Sequence, residues 1–203
     1  GIETDEHIGK VRDALNLPIH IGTIENAGFK PKKFDYIIAN QLIEHIIDLD
    51  SFLESCKKFL KDNGVIIFST PNAGSLYRQF CRKKWINWHL PFHQQVFTKK
   101  SLEILLGRHS LSITDIRTVT PTSWTLHQLS ALRNDQVMGI KNPYWNKKES
   151  ISINPKKNSA LFKKLALLPK RALFSTIVFV ISVCSTIIDI LGQGDCLIIT
   201  IKK

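Results

Sequence analysis

The sequence predicts an α/β fold built on a doubly wound sheet, and two observations predict it. Short runs rich in Ile and Val, Tyr36–Ala39 and Val65–Phe68, flank one amphipathic segment. Near-continuous apolar character of that kind suits strands buried on both faces of a parallel sheet. Between the runs, Phe52, Leu53, Cys56, Phe59 and Leu60 recur at helical spacing. Strand, helix and strand within about 35 residues form one βαβ unit with a right-handed crossover.

Each element has its own local cause. Thr4 or Asp5 is placed to cap a helix carrying Ile8, Val11 and Leu15. Pro18–Ile21 is a short strand, and Gly22-Thr23-Ile24-Glu25 turns the chain after it. The helix of the βαβ unit has Asp50 or Ser51 as its cap, Lys57, Lys58 and Lys61 near its end, and Gly64 as its stop. Pro71-Asn72 ends the second strand of the unit. Leu76, Phe80 and Lys83-Lys84 form a short basic helix, followed by a loop with Trp85 and Trp88. Thr98 caps a helix carrying Leu102, Leu105 and Leu106. Leu111, Ile113 and Ile116 alternate along a strand, and Leu197–Ile201 is the last strand.

Composition bounds the class. The chain has 203 residues, 43% hydrophobic and 22% charged, which fits a globular domain and excludes a disordered one. Cys56, Cys81, Cys184 and Cys196 are widely spaced with no C-x-x-C pair, so they read as reduced thiols of an intracellular protein. The opening residues do not read as a signal peptide, so none is expected.

The stretch FDYIIANQLIEHIIDLDSFL, followed by LKDNGVIIFSTPN, resembles the fourth and fifth strand region of class I S-adenosylmethionine-dependent methyltransferases. It is most similar to the branch with an E-H pair after strand four, which includes ubiquinone-type and cell-surface-polysaccharide-linked O-methyltransferases. The resemblance is dense over residues 1–117 and thin beyond. It implies a Rossmann-like methyltransferase sheet, S-adenosylmethionine as cofactor and methyl transfer as the reaction. It also places a Gly-rich loop upstream of Glu3, after a first strand. No G-x-G-x-x-G stands in the chain. The chain is therefore expected to be a piece of a longer protein, lacking strand one and the Gly-rich loop and carrying roughly half of a cofactor site.

Site residues follow from the resemblance position by position. Glu3, at the end of the family's second strand, would accept the ribose hydroxyls. Thr23 stands at the usual acidic adenine contact, and Ile24 would pack on the adenine face. Asn40 and Gln41, beyond the fourth strand, would orient the methionine part. His45 and His93 are the candidate catalytic bases, because both can titrate near neutrality. His93 sits in an H-x-x-x-F-T-x-x-x-L pattern of the polysaccharide-linked branch. A structural role for His93, and a local hydrogen-bonding role for the Glu44-His45 pair, are the competing readings. In some relatives the places of Gln41, Glu44, His45 and His93 hold a divalent ion. Gln41 removes one anionic ligand here, so no metal is expected.

The domain reading is a methyltransferase core over 1–118, a helical and basic insertion or cap over 119–191, and the final core strand within 192–203. Residues 141–171 hold nine Lys or Arg against Glu149 alone, +8 of the net +11. That block is either a solvated surface or the seat of an anionic partner such as a membrane surface or a glycan phosphate. Its aromatic residues are not interleaved with its basic ones, which argues against nucleic acid. Ala172–Ile188 is uncharged over 17 residues. At about 1.5 Å per residue it falls short of a bilayer core of about 30 Å. It reads as an apolar helix, packed on the domain or lying in a membrane interface. The expected function is O-methyl transfer to a sugar, lipid-linked glycan or small molecule, in the cytoplasm or at the inner face of a membrane. The alternative is a degenerate fold acting as a membrane- or glycan-binding scaffold.

Overall fold

The computed structural model describes residues 1–5, 7–133 and 170–203. Most of the basic block, with Trp145, lies outside the described residues, as does the middle of the expected insertion. The described chain forms two compact units. One comprises Gly1–Thr70, Phe97–Ile116 and Leu197–Lys203; the other comprises Pro71–Val96 and Arg117–Cys196.

The elements, in order, are β1 (Ile2–Glu3), α1 (Ile8–Leu15), β2 (His20–Ile21), β3 (Phe34–Asn40), α2 (Leu49–Phe59), β4 (Leu60–Pro71), α3 (Leu76–Cys81), α4 (Lys99–Arg108), β5 (Ser112–Val119), α5 (Thr122–Arg133), α6 (Lys170–Ile190) and β6 (Cys196–Lys202). Two sheets result. β1 and β2 pair in parallel, and a four-stranded sheet has the order β3-β4-β6-β5. β3 and β4 are parallel, as a βαβ unit requires.

β6 runs against both neighbours. At its start, the Asn72 N–H beyond β4 donates to the Asp195 carbonyl at 2.9 Å. At its end, Lys203 Nζ donates to the carbonyl of Leu60, the first residue of β4, at 2.7 Å. On the other side, the hydroxyl of Thr114, near the start of β5, donates to the carbonyl of Thr200, near the end of β6, at 3.2 Å. The sheet is therefore mixed.

The core lies in the first unit. α2 contributes Leu49, Phe52, Leu53, Cys56 and Phe59, spaced so that all fall on one face. α4 adds Leu102, Leu105 and Leu106. They close on Ile66 and Phe68 of β4 and on Leu197, Ile199 and Ile201 of β6. Truncating one of these side chains to Ala typically costs about 2–5 kcal/mol. The Cys56 thiol, buried in this cluster, is pushed up to about 12 by desolvation, so it is inert at neutral pH. All four cysteines are free thiols.

The local signals hold for most elements and differ at several: α1 starts at Ile8 with His7, not Thr4 or Asp5, at the cap position. Thr98 does cap α4, and Ser101 completes a capping box with it. The cap of α2 is instead Asp48, whose Oδ1 accepts the Ser51 N–H at 3.0 Å. That shifts the helix start to Leu49. α2 also stops at Phe59, and Gly64 falls inside β4, where the register slips between the Phe34–Leu60 and Tyr36–Val65 pairs. The slip absorbs the polar residues Lys61, Asp62 and Asn63 into a bulge. Finally, β3 is not covered on both faces: Tyr36 and Ile38 are 65% and 69% exposed, while Ala39 is buried. That face is largely open at Tyr36 and Ile38.

In the second unit, α5 packs against α6. Asp189, near the end of α6, accepts the Thr120 N–H at 2.9 Å and its hydroxyl at 2.7 Å. No helix among the described residues is long and apolar enough to cross a membrane.

Candidate active site

Two groups of polar side chains stand out, one in each unit. The first lies beyond the carboxyl ends of β1, β2 and β3, where open α/β sheets bind ligands. Glu3 ends β1, and its Oε1 accepts the N–H groups of Thr4 at 2.9 Å and Asp5 at 3.3 Å. Its carboxylate is exposed. Because β1 and β2 are parallel, with Glu3 opposite Ile21, the turn after β2 starts at the same end. There the Thr23 N–H donates to Asn26 Oδ1 at 3.0 Å, and the Thr23 side chain is exposed. Ile24 is 8% exposed and belongs to the core cluster.

At the end of β3, Ser69 of the neighbouring strand gathers two of the expected residues. Its hydroxyl donates to Asn40 Oδ1 in a short hydrogen bond. The same Oγ accepts the Gln41 N–H at 3.2 Å and Gln41 Nε2 at 3.1 Å. Gln41 takes a left-handed backbone, φ 50°, and its N–H also donates to the Ser69 carbonyl at 2.9 Å. A non-glycine residue held in that region is a mark of functional sites.

Glu44 is the least expected member. It is 1% exposed in a 3-10 turn over Ile43–His45. Its Oε2 accepts the Thr70 hydroxyl at 3.1 Å, and Oε1 is buried with no partner. Burial raises its carboxyl above the usual range, against the smaller opposing pull of its hydrogen bonds. His45, next in the chain, is exposed. A half-satisfied buried carboxylate beside a strand end costs stability, and such groups concentrate at functional sites.

The second group surrounds Asp195 at the start of β6. The residue is 1% exposed. Its Oδ1 accepts the Ser75 hydroxyl at 2.7 Å and the Trp85 indole N–H at 2.8 Å; its Oδ2 accepts Asn87 Nδ2 at 2.9 Å. Burial pushes its carboxyl up to about 6 despite those three donors. Gln128 of α5 adds a second clamp, with its Oε1 accepting the Ile86 N–H at 2.9 Å and its Nε2 donating to the Lys84 carbonyl at 2.7 Å. The segment 84–87 is thereby held from two sides.

His93 takes its orientation from this segment. Its Nδ1 lies 2.7 Å from the Asn87 carbonyl. A carbonyl only accepts, so Nδ1 donates the proton of this contact. The ring meets His89 edge-on at 5.0 Å. Sequence reasoning found His93 but neither Asn87 nor Asp195. The one available signal was an isolated acid, in Gly192-Gln193-Gly194-Asp195, directly before an apolar strand.

A family model described as a methyltransferase domain matches residues 4–115, more than half of the chain. The chain belongs to the methyltransferase domain family. Curated relatives agree with this assignment. The ubiquinone biosynthesis O-methyltransferase of Bartonella bacilliformis is 28% identical over 83 residues, covering 41% of this chain and 29% of that one. Its counterpart in Histophilus somni is 46% identical over 64 residues, covering 32% of this chain and 27% of that one. The matches thus span less than a third of either relative.

Solved structures give the same fold. A SAM-dependent methyltransferase from Archaeoglobus fulgidus superposes with a TM-score of 0.52 at 16% identity, covering all of this chain and 75% of that one. The Haemonchus contortus N-methyltransferase solved with phosphomonomethylethanolamine and S-adenosylhomocysteine gives 0.50 at 14% identity, covering all of this chain and 43% of that one. The Rossmann-like methyltransferase sheet expected from the sequence is the fold observed.

Proposed function

We propose that this chain acts in S-adenosylmethionine-dependent O-methyl transfer to a hydroxyl of a sugar, a lipid-linked glycan or a small molecule. The observation that carries the reading is the family match over residues 4–115, which spans the strand ends bearing Thr23, Asn40 and Gln41. When bound, S-adenosylmethionine supplies an electrophilic methyl group on a sulfonium centre.

The residues present suit that cofactor. Glu3 offers an exposed carboxylate at a strand end, able to accept two hydroxyl donors at once. Thr23 offers a hydroxyl beyond the adjacent strand. Asn40 and Gln41, gathered by Ser69, offer amides to an amino acid moiety. His93, held at Nδ1 by the Asn87 carbonyl, is one candidate base for the acceptor's proton. His45 is the second candidate base.

Peripheral attachment to a membrane belongs to the same reading. α6 exposes Phe174, Phe179, Val180, Val183 and Ile187, and it follows the basic block in sequence. Lipid interfaces accept that combination of apolar and basic groups.

Activity is tested with the product of the complete reading frame, radiolabelled S-adenosylmethionine and a panel of phenolic, sugar and glycan-lipid hydroxyl acceptors. The reading expects label in at least one hydroxyl acceptor. Labelling only of amines would replace O-methyl transfer, and no transfer with well-bound cofactor would favour a scaffold.

A further inference from the structure

The second unit contains a cavity of about 590 Å³ lined by Arg78, Gln79, Arg82, Lys83, Trp88 and Leu90. Its size falls within the range of small-molecule sites. Three of the six lining residues are cations and none is an acid. Among the described residues, no acid forms an ion pair with Arg78, Arg82 or Lys83. Converging unpaired cations repel one another, and an anion relieves that repulsion.

The apolar side of the cavity is rigidly built. The Trp88 indole N–H donates to the Arg82 carbonyl at 2.8 Å, and the same carbonyl accepts the Trp85 N–H at 3.3 Å. Those two donors reward Arg82 for a left-handed backbone, φ 48°. Trp88 also stands edge-on to the buried Trp85 at 5.4 Å, and Trp85 is tied to Asp195. The Arg78 guanidinium lies over the Trp88 ring at 5.8 Å. A cation is thus already seated on a fixed aromatic wall, with Leu90 beside it.

We propose that this cavity is a binding site for a phosphate ester. The arginine forks and Lys83 would hold the phosphate or diphosphate, and Trp88 with Leu90 would pack on the sugar or alkyl group attached to it. Guanidinium groups match phosphate oxygens two at a time, and three cations suit an anion carrying more than one charge. An apolar ring or chain next to the phosphate accounts for the indole, which a free anion would not need. The existence of this site does not depend on the methyl-transfer reading.

The test titrates octyl phosphate, a hexose 1-phosphate, inorganic phosphate and neutral octyl glucoside into the full chain without cofactor, followed by tryptophan fluorescence and calorimetry. Vesicles of phosphatidic acid and of phosphatidylcholine form a second arm. Arg78→Gln with Arg82→Gln is compared with Lys30→Gln with Lys100→Gln, which removes the same charge from exposed positions elsewhere. Two lost charge-assisted contacts should weaken an ester about a hundredfold or more. The control pair should change affinity less than about twofold. Binding of octyl phosphate and phosphatidic acid, lost in the arginine variant, supports a lipid-borne ester. Binding of the hexose phosphate without vesicle binding supports a soluble one. Equal affinity of both variants for every ester, or octyl glucoside binding as tightly as octyl phosphate, overturns the proposal. Cofactor affinity, measured separately, keeps this outcome distinct from failure of the methyltransferase reading.

Discussion

Asp195 and His93 meet on opposite sides of Asn87: the Asp195 carboxylate accepts the Asn87 side-chain amide at 2.9 Å, and the Asn87 carbonyl accepts the His93 Nδ1 proton at 2.7 Å. The buried carboxylate therefore orients the histidine through one intervening residue. His93→Gln should keep the fold but lower kcat about a hundredfold to ten-thousandfold, the usual worth of a general base. Steady-state kinetics on the complete protein, with circular dichroism as the folding control, checks this. An unchanged kcat would remove His93 from the chemistry and leave His45 as the base.

Asp195 should make stability depend on pH. Its folded carboxyl holds a proton to about 6, against 3.8 for the ordinary group. The resulting preference for the folded state is complete below pH 3.8 and is lost as pH rises through 6. Asp195→Asn abolishes this dependence and also points an NH2 group at the Asn87 NH2 group. The variant should be less stable by about 1–3 kcal/mol in acid. The gap to the native protein should narrow between pH 4 and 7, about the interval separating the two titrations. Denaturant melts across that range give the answer, and a gap that widens with pH would contradict it.

Glu44 predicts a variant that gains stability and loses function. Its Oε1 is buried without a partner, and its carboxyl is raised by desolvation, so ionisation at neutral pH works against the fold. Glu44→Gln keeps an oxygen for the Thr70 hydroxyl and removes the charge. Tm should rise at neutral pH by an amount on the order of 1 kcal/mol of stability, with activity reduced. A lower Tm would mean that the carboxylate is satisfied in solution.

His109 ties α4 to α2. Its Nδ1 donates to Glu54 at 2.8 Å and its Nε2 to Asp50 at 2.7 Å, a pair of donors that only the imidazolium provides. Glu54 foremost, then Asp50, raises its titration above 6.5. The stabilisation is present below 6.5 and lost as pH rises through the folded value. His109→Gln should cost less than about 1 kcal/mol in mild acid, because the carboxylates are exposed. It should cost nothing in alkali. A cost that grows with pH would be the wrong sign.

What could be read from the sequence was what neighbours in sequence determine. The apolar stripe of α2, the Thr98 cap and the strand spacing of Val65–Phe68 and Leu197–Ile201 each follow from residues a few positions apart. Even there, the α2 cap is neither Asp50 nor Ser51 but Asp48, whose carboxylate reaches both the N–H and the hydroxyl of Ser51. The polar centre of the second unit left no such trace. Asp195 collects Ser75, Trp85 and Asn87 from 120, 110 and 108 residues away, so no local pattern links them. Glu44 was visible as part of an E-H pair, but its burial depends on tertiary packing. Tyr36 and Ile38 depart from expectation for the opposite reason: an apolar run reports what a strand can bury, not what covers it.

In the proposed function, the strand ends bearing Glu3, Asn40 and Gln41 hold S-adenosylmethionine. Calorimetric titration of S-adenosylhomocysteine into the product of the complete reading frame, native and Glu3→Ala, tests it most directly. We expect one site per chain in the native protein and an affinity about tenfold to a hundredfold weaker in the variant, as the ribose hydroxyls lose a charged acceptor. Saturable binding that is indifferent to Glu3→Ala, or no binding by the native protein, would contradict the account.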